Sequence, residues 1–254
     1  MKAISFQLYS ARNFPPLEAV LPKLKAIGYE QVEGYAPSYE HPEAFGDQLS
    51  ASGLAMPSGH FSLADLEMRP EWVRSVAASL GIGTIICPYL DASERPVDAE
   101  GWRQLAGRLN ALARQWQDQG RDFSWHNHDF EFAGLPDGAI PMDILLEHAP
   151  LMTWQADLAW IVRGGSDPLC WIADHGERIT SAHVKDIAPA GTNQGEDGWA
   201  DAGFGVLDWT AYLHALTGAG TRLFVAEHDL PSDLERFASR SFGTLSSYFQ
   251  GRKF

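Results

Sequence analysis

Eight short runs of apolar, β-branched or aromatic residues recur along the chain, each separated from the next by an amphipathic segment of helical length. Such a chain is confined to a parallel sheet covered by helices, because parallel neighbours need a crossover and a helix supplies it. The candidate strands are Ala3 to Tyr9, Gln31 to Tyr35, Ala55 to His60, Thr84 to Tyr89, Phe123 to His128, Met152 to Asp157, Thr180 to Lys185 and Leu223 to Glu227. Each is short, as strands buried on both faces are. Between them, Pro15 to Ile27 has proline near its start and Gly28 at its end, and the same glycine punctuation follows Leu80. Asp98 to Gln119 carries Trp102, Leu105, Leu109, Leu112, Ala113 and Trp116 at helical spacing, which is packing surface. Further helices are expected at Ile140 to His148, Pro168 to Asp174, Asp208 to Leu216 and Leu230 to Tyr248.

Eight βα units in 254 residues fit one closed (β/α)8 barrel of the α/β class, with residues 1 to 254 as a single domain. The rival, a doubly wound open sheet, announces itself by a glycine-rich turn after the first strand. Here Tyr9-Ser10-Ala11-Arg12-Asn13 follows, without GxGxxG or a Walker-type sequence. A formal charge of −14 opposes a surface that tracks phosphate backbones, so nucleic acid is excluded as a partner. Cys87 and Cys170 sit in apolar surroundings without CxxC spacing, and buried free thiols are expected. The N-terminus runs straight into a strand without a leader pattern, and no apolar stretch approaches the roughly 20 residues that cross a bilayer. A soluble cytoplasmic protein without membrane association is expected.

The chemistry lies where the strands run out. Asp157, His183 and Glu227 end three successive candidate strands, and Glu131 falls just beyond the fifth. In a barrel these positions converge on one mouth despite their separation in sequence. Carboxylate and imidazole donors without cysteine suit a borderline or hard divalent ion such as Mn²⁺, Mg²⁺, Co²⁺, Zn²⁺ or Fe²⁺. Capping of the next helix, or an ion pair from Asp157 to Arg163, is the competing explanation for the carboxylates. His126 and His128 share one strand face by the period of two and are expected at the mouth as ligand, ligand support or proton carrier. His60 ends the third strand, placed for a substrate hydroxyl or a proton. Lys185, two residues beyond His183, is expected to stabilise an enolate oxygen, with Asp186 orienting it. Glu33 ends the second strand and is expected to hydrogen-bond substrate hydroxyls or cap the next loop. Trp160 and Phe6 offer apolar surface to a sugar ring, and Arg163 a polar contact.

These segments resemble the xylose-isomerase-like barrel family, which includes sugar phosphate isomerases and epimerases, inosose dehydratase and barrel endonucleases. The resemblance begins at Gln7-Leu8-Tyr9-Ser10-Ala11-Arg12 and continues through His126-Asn127-His128-Asp129-Phe130-Glu131-Phe132 and Asp157-Leu158-Ala159-Trp160-Ile161-Val162-Arg163-Gly164-Gly165. It then runs through His183-Val184-Lys185-Asp186, Gly203-Phe204-Gly205-Val206-Leu207-Asp208-Trp209 and Glu227-His228-Asp229. It implies one divalent metal held by a carboxylate after strand five, Asp157, His183 and Glu227, and pairing of barrels into a homodimer. The epimerases end strand five with a glutamate that is ligand and base at once, whereas this chain has His126-Asn127-His128 there and Glu131 beyond.

The activity expected is metal-dependent isomerisation or epimerisation of a ketose-like sugar or sugar phosphate through an enediolate. Glu227 is ligand or base, His128 or His60 the proton carrier and Lys185 the oxyanion stabiliser, with His126, Arg163, Trp160 and Glu33 at the substrate. The histidine-rich fifth strand supports an alternative, a lyase acting on an inosose or 3-keto-glycoside. A sugar-binding barrel without catalysis is the third reading.

Overall fold

The computed structural model of the protein describes residues 3–251. Ten strands are present among them: β1 (Ala3–Gln7), β2 (Gln31–Gly34), β3 (Ala55–His60), β4 (Thr84–Cys87), β5 (Asp122–His126), β6 (Thr153–Asp157), β7 (Ile179–Val184), β8 (Asp186–Ile187), β9 (Trp199–Ala200) and β10 (Leu223–Ala226). Eight close into a parallel barrel in the order β1-β10-β7-β6-β5-β4-β3-β2, while β8 and β9 form a small antiparallel pair outside it. The barrel expected from the alternation is therefore the observed fold. The strands end earlier than the apolar runs on the C-terminal side: Leu8–Ala11 turns into a 3-10 helix, and Asn127 and His128 lie past the end of β5.

Register aligns the polar positions that matter. Gln7 pairs with Glu33, Glu33 with Ser58, His126 with Gln155 and Asp157 with His183. Side chains alternate along a strand, so these levels place polar groups inside the barrel while their neighbours face the helices. Phe6 illustrates the outward set. It is fully buried against Tyr29 and Phe237, so the expectation that it faces a sugar is corrected.

The helix Ala99–Gln117 buries the predicted stripe from Trp102 to Trp116, and the Asp98 carboxylate caps it by accepting the Gly101 N–H at 2.8 Å. Helices also form at Pro42–Ser52, Leu63–Met68, Pro70–Leu80 and Leu158–Arg163. Cys87 is buried as expected, but Cys170 is exposed beside Asp167 on the outer face of the helix Pro168–His175, and both thiols are free. No helix among the described residues is long and apolar enough to cross a membrane.

The loop after β7 is locked in place. The Asp186 carboxylate accepts backbone N–H groups from Ile187, Gly203, Gly205 and Leu207, and a Cβ at Gly205 would overlap that carboxylate. Asp186 thus organises residues 203–207 and does not orient Lys185.

Candidate active site

The site is built in three levels from the barrel floor to its mouth. At the floor, Glu33 is fully buried and gathers five donors. Its Oε1 accepts from Gln7 Nε2 at 2.8 Å and lies 2.7 Å from His183 Nε2 and 3.0 Å from His60 Nε2. Its Oε2 accepts from Ser58 Oγ at 2.6 Å and Gln155 Nε2 at 2.7 Å. Burial would raise the Glu33 pKa, but the imidazoles of His60 and His183 outweigh it and hold the carboxyl well below its usual range. Both substrate-contact and loop-capping expectations for Glu33 are therefore corrected: its oxygens are taken up in holding the floor. His60 belongs to the same network, with Nε2 also 2.8 Å from Gln155 Oε1, so that nitrogen is engaged and not free to carry a substrate proton.

The middle level holds the ligand-type residues. His183 Nδ1 is 2.7 Å from Glu227 Oε2 and 4.0 Å from Asp157 Oδ2. The ring of His126 lies 4.4 Å from that of His183, centroid to centroid. His126, Asp157, His183 and Glu227 each offer an atom within 4.8 Å of the others, and all four are buried. Asn127 fixes the Asp157 backbone: its Oδ1 accepts the Asp157 N–H at 2.9 Å and its Nδ2 donates to the Asp157 carbonyl at 3.1 Å. Asp157 Oδ1 caps the helix Leu158–Arg163 by accepting the Trp160 N–H at 3.0 Å, so the capping explanation holds for one oxygen. The other, Oδ2, accepts no well-aligned hydrogen bond and meets only the Lys185 ammonium 3.2 Å away, while His126 Nδ1 is buried without a partner. A buried ring nitrogen left unpaired is costly, and a cation at this position would satisfy it while adding charge beside the Asp157 carboxylate. His183 suits the same role, because Nε2 facing Glu33 leaves Nδ1 facing the other donors, the carboxylate–histidine arrangement of metal centres.

Glu131, expected among the ligands, falls outside this group. Residues Phe130–Phe132 form a 3-10 turn that swings its carboxylate back beneath the strand end, where it accepts from Trp125 Nε1 and the His128 N–H, both at 2.9 Å. Burial pushes its pKa up to about 8. The strand-five side chain within the group that could hold an ion is His126.

At the mouth, Lys185 Nζ is fully enclosed. It lies 2.8 Å from Glu227 Oε2, 3.2 Å from Asp157 Oδ2 and 2.9 Å from Asp229 Oδ1. The ring centroids of Trp160 and Trp199 are 5.2 and 4.9 Å away. Burial disfavours its charge, but Asp157, Asp229 and Glu227 together raise its pKa, so it is a buried ammonium and not a solvated rim residue. His128 packs 5.1 Å from Trp160 and 4.9 Å from Tyr89, and burial followed by the nearby Lys185 charge lowers its pKa to about 3, which keeps the imidazole neutral. Arg163 departs from both of its expected roles. It pairs with Asp197 and lies 3.2 Å over the Trp199 ring, holding the β8–β9 loop behind the mouth's aromatic wall, and it makes no ion pair with Asp157.

Asp229, Trp199, Gln7, Ser58 and Gln155 were not expected from sequence. Asp229 follows Glu227 by two residues, the strand period, and the others are polar or aromatic residues interrupting apolar runs. Two outcomes follow from this geometry. For an ion held by these four side chains, Glu33→Gln is expected to lower the affinity by about 10- to 100-fold through loss of the His183 partner, checked by calorimetric titration. Burial lowers the His183 pKa, but Glu227 and Glu33 more than reverse this and raise it to about 10, so at neutral pH this nitrogen carries a proton. An ion bound at His183 would displace that proton, so its affinity is expected to rise with pH up to that value. Titration in buffers of different ionisation enthalpy counts the protons.

The chain is similar in fold to several known structures. A sugar phosphate isomerase/epimerase from Parabacteroides distasonis superposes with a TM-score of 0.79 at 17% identity, over 97% of this chain and 94% of that one. The probable 3-DHS dehydratase AsbF, involved in petrobactin synthesis, from Bacillus anthracis gives a TM-score of 0.73 at 13% identity, covering 97% and 99%. An AP endonuclease of family 2 from Brucella melitensis gives 0.69 at 13%, covering 98% and 99%. No curated protein matches the sequence. The model of one family matches residues 21–241, which shows that the chain belongs to the xylose isomerase-like TIM barrel family.

Proposed function

We propose that the protein is a divalent-metal-dependent isomerase or epimerase of a ketose-like sugar or sugar phosphate, working through an enediolate. The observation that carries this reading is the convergence of four buried donor side chains, one of them with an unpartnered ring nitrogen, beside a buried ammonium. His126, Asp157, His183 and Glu227 would hold the ion, which would supply Lewis acidity toward the substrate carbonyl. Glu227 removes the proton from the adjacent carbon. Its Oε2 faces both His183 and Lys185, which leaves Oε1 as the oxygen that accepts it. Lys185 places positive charge beside the oxygen on which negative charge develops. His128, neutral and with its Nδ1 unpartnered, relays the proton between substrate oxygens, and the Trp160 ring beside it covers a sugar face.

A second reading is favoured by one observation: β5 and the residues just past it contribute His126 and His128 to the site, while the carboxylate that follows, Glu131, is turned away. One carboxylate base with histidines across from it suits removal of a single proton followed by loss of a β-oxygen, making the protein a lyase on an inosose or 3-keto-glycoside. A panel of ketoses, inososes and 3-keto-glycosides offered to the metal-loaded protein decides between them. Isomeric product supports the first reading, released water or aglycone the second, and no turnover of any class with metal bound defeats both.

A further inference from the structure

We infer that His126 makes this site select a borderline transition-metal ion such as Co²⁺ or Zn²⁺ over the oxygen-preferring Mn²⁺ and Mg²⁺; the inference rests on the metal reading above. Three observations carry it. First, the donor set is two imidazoles and two carboxylates, because β5 ends in His126 and its nearest carboxylate, Glu131, is bonded to Trp125 and the His128 backbone. Second, the surroundings are rich in imidazole. The rings of His60 and His128 each lie 5.2 Å from His126, and His60, His126 and His183 form a second close group within 4.8 Å.

Third, the two carboxylates are shared with a fixed cation. Lys185 Nζ lies 2.8 Å from Glu227 and 3.2 Å from Asp157, and draws on the same negative charge that a hard ion needs. Mg²⁺ and Mn²⁺ are held chiefly by carboxylate charge and water, so this sharing weakens them most. A nitrogen donor bonds to Co²⁺ or Zn²⁺ without depending on that charge. Two carboxylates also balance a dication with no excess, where a third would favour the harder ions.

The general order of divalent ions already places Co²⁺ above Mn²⁺ at mixed nitrogen and oxygen sites, so the informative quantity is the part of the gap that His126 supplies. The chelator-stripped full chain is titrated with Co²⁺ and with Mn²⁺, by calorimetry and by the paramagnetic resonance of free Mn²⁺. The Co²⁺ preference is expected to exceed about 100-fold in the wild type and to narrow by about tenfold or more in His126→Glu. An unchanged preference in a folded His126→Glu protein, checked by circular dichroism, overturns the inference and leaves the metal reading standing. X-ray absorption of the Zn²⁺-loaded wild type needs no variant: scattering from two imidazoles is expected, and from one overturns the inference. If no divalent ion binds at about 1 mM, the metal reading falls and takes the inference with it.

Discussion

Replacing Lys185 by Met lowers the stability of the metal-free protein by about 3–5 kcal/mol. The methionine keeps most of the side chain's volume, so the loss is electrostatic and not a cavity. Asp157, Glu227 and Asp229 all lie within 3.2 Å of the ammonium, and without it they crowd one buried region with no cation facing all three. Removing one partner of a buried charge network leaves the other charges desolvated and uncompensated, which costs more than the network contributes in the first place. A divalent ion replaces the missing charge, so added metal restores a larger share of stability in the variant than in the wild type.

The pH response has a defined sign. Burial would raise the Glu227 pKa, but Lys185 and His183 hold it well below the usual value of 4.5, so its contribution is present above that value and lost as pH falls below it. In Lys185→Met this acid limb moves to higher pH. Urea unfolding of chelated protein between neutral and acid pH checks both effects. A stability loss under about 1 kcal/mol would show that the ammonium is not what holds the carboxylates together.

Glu227→Gln abolishes turnover more completely than any other single change, with kcat lowered by about 10³-fold or more. The amide preserves shape but cannot accept a proton from carbon, and it weakens the partner of both His183 and Lys185. The fall is expected in kcat, with KM changing far less, because the groups that cover the substrate, Trp160 and His128, are untouched. Steady-state kinetics on the substrate found in the panel separates these quantities. Equal loss in KM alone would make Glu227 a binding residue and return the base to another group.

The barrel was legible because each strand is a short apolar run closed by a turn signal, a pattern that survives errors of two or three residues at its ends. Asp157, His183 and Glu227 were legible for the same reason: a residue at a strand end is placed by the fold whatever its rotamer. Glu131 was not, since its position depends on a three-residue turn that reverses the chain after β5, and such turns leave no periodicity. Lys185 was expected at the site, but its full enclosure was not legible because it comes from Asp229 and from Trp199 on a distant hairpin, contacts that span the chain. Glu33 was misassigned because a buried glutamate is explained only by its donors, and these come from four other strands. The helices at Pro42–Ser52 and Leu63–Met68 bury only Phe45 with Leu49 and Leu63 with Leu66, too sparse a stripe to read from sequence.

The central claim is that Glu227 and its neighbours move a proton at carbon beside a substrate carbonyl. Turnover of the metal-loaded protein in deuterium oxide, followed by magnetic resonance of the recovered sugar, tests it most directly. Deuterium is expected at the carbon adjacent to the carbonyl, at a rate lost in Glu227→Gln. Conversion of substrate to product with no deuterium ever entering that carbon would contradict it.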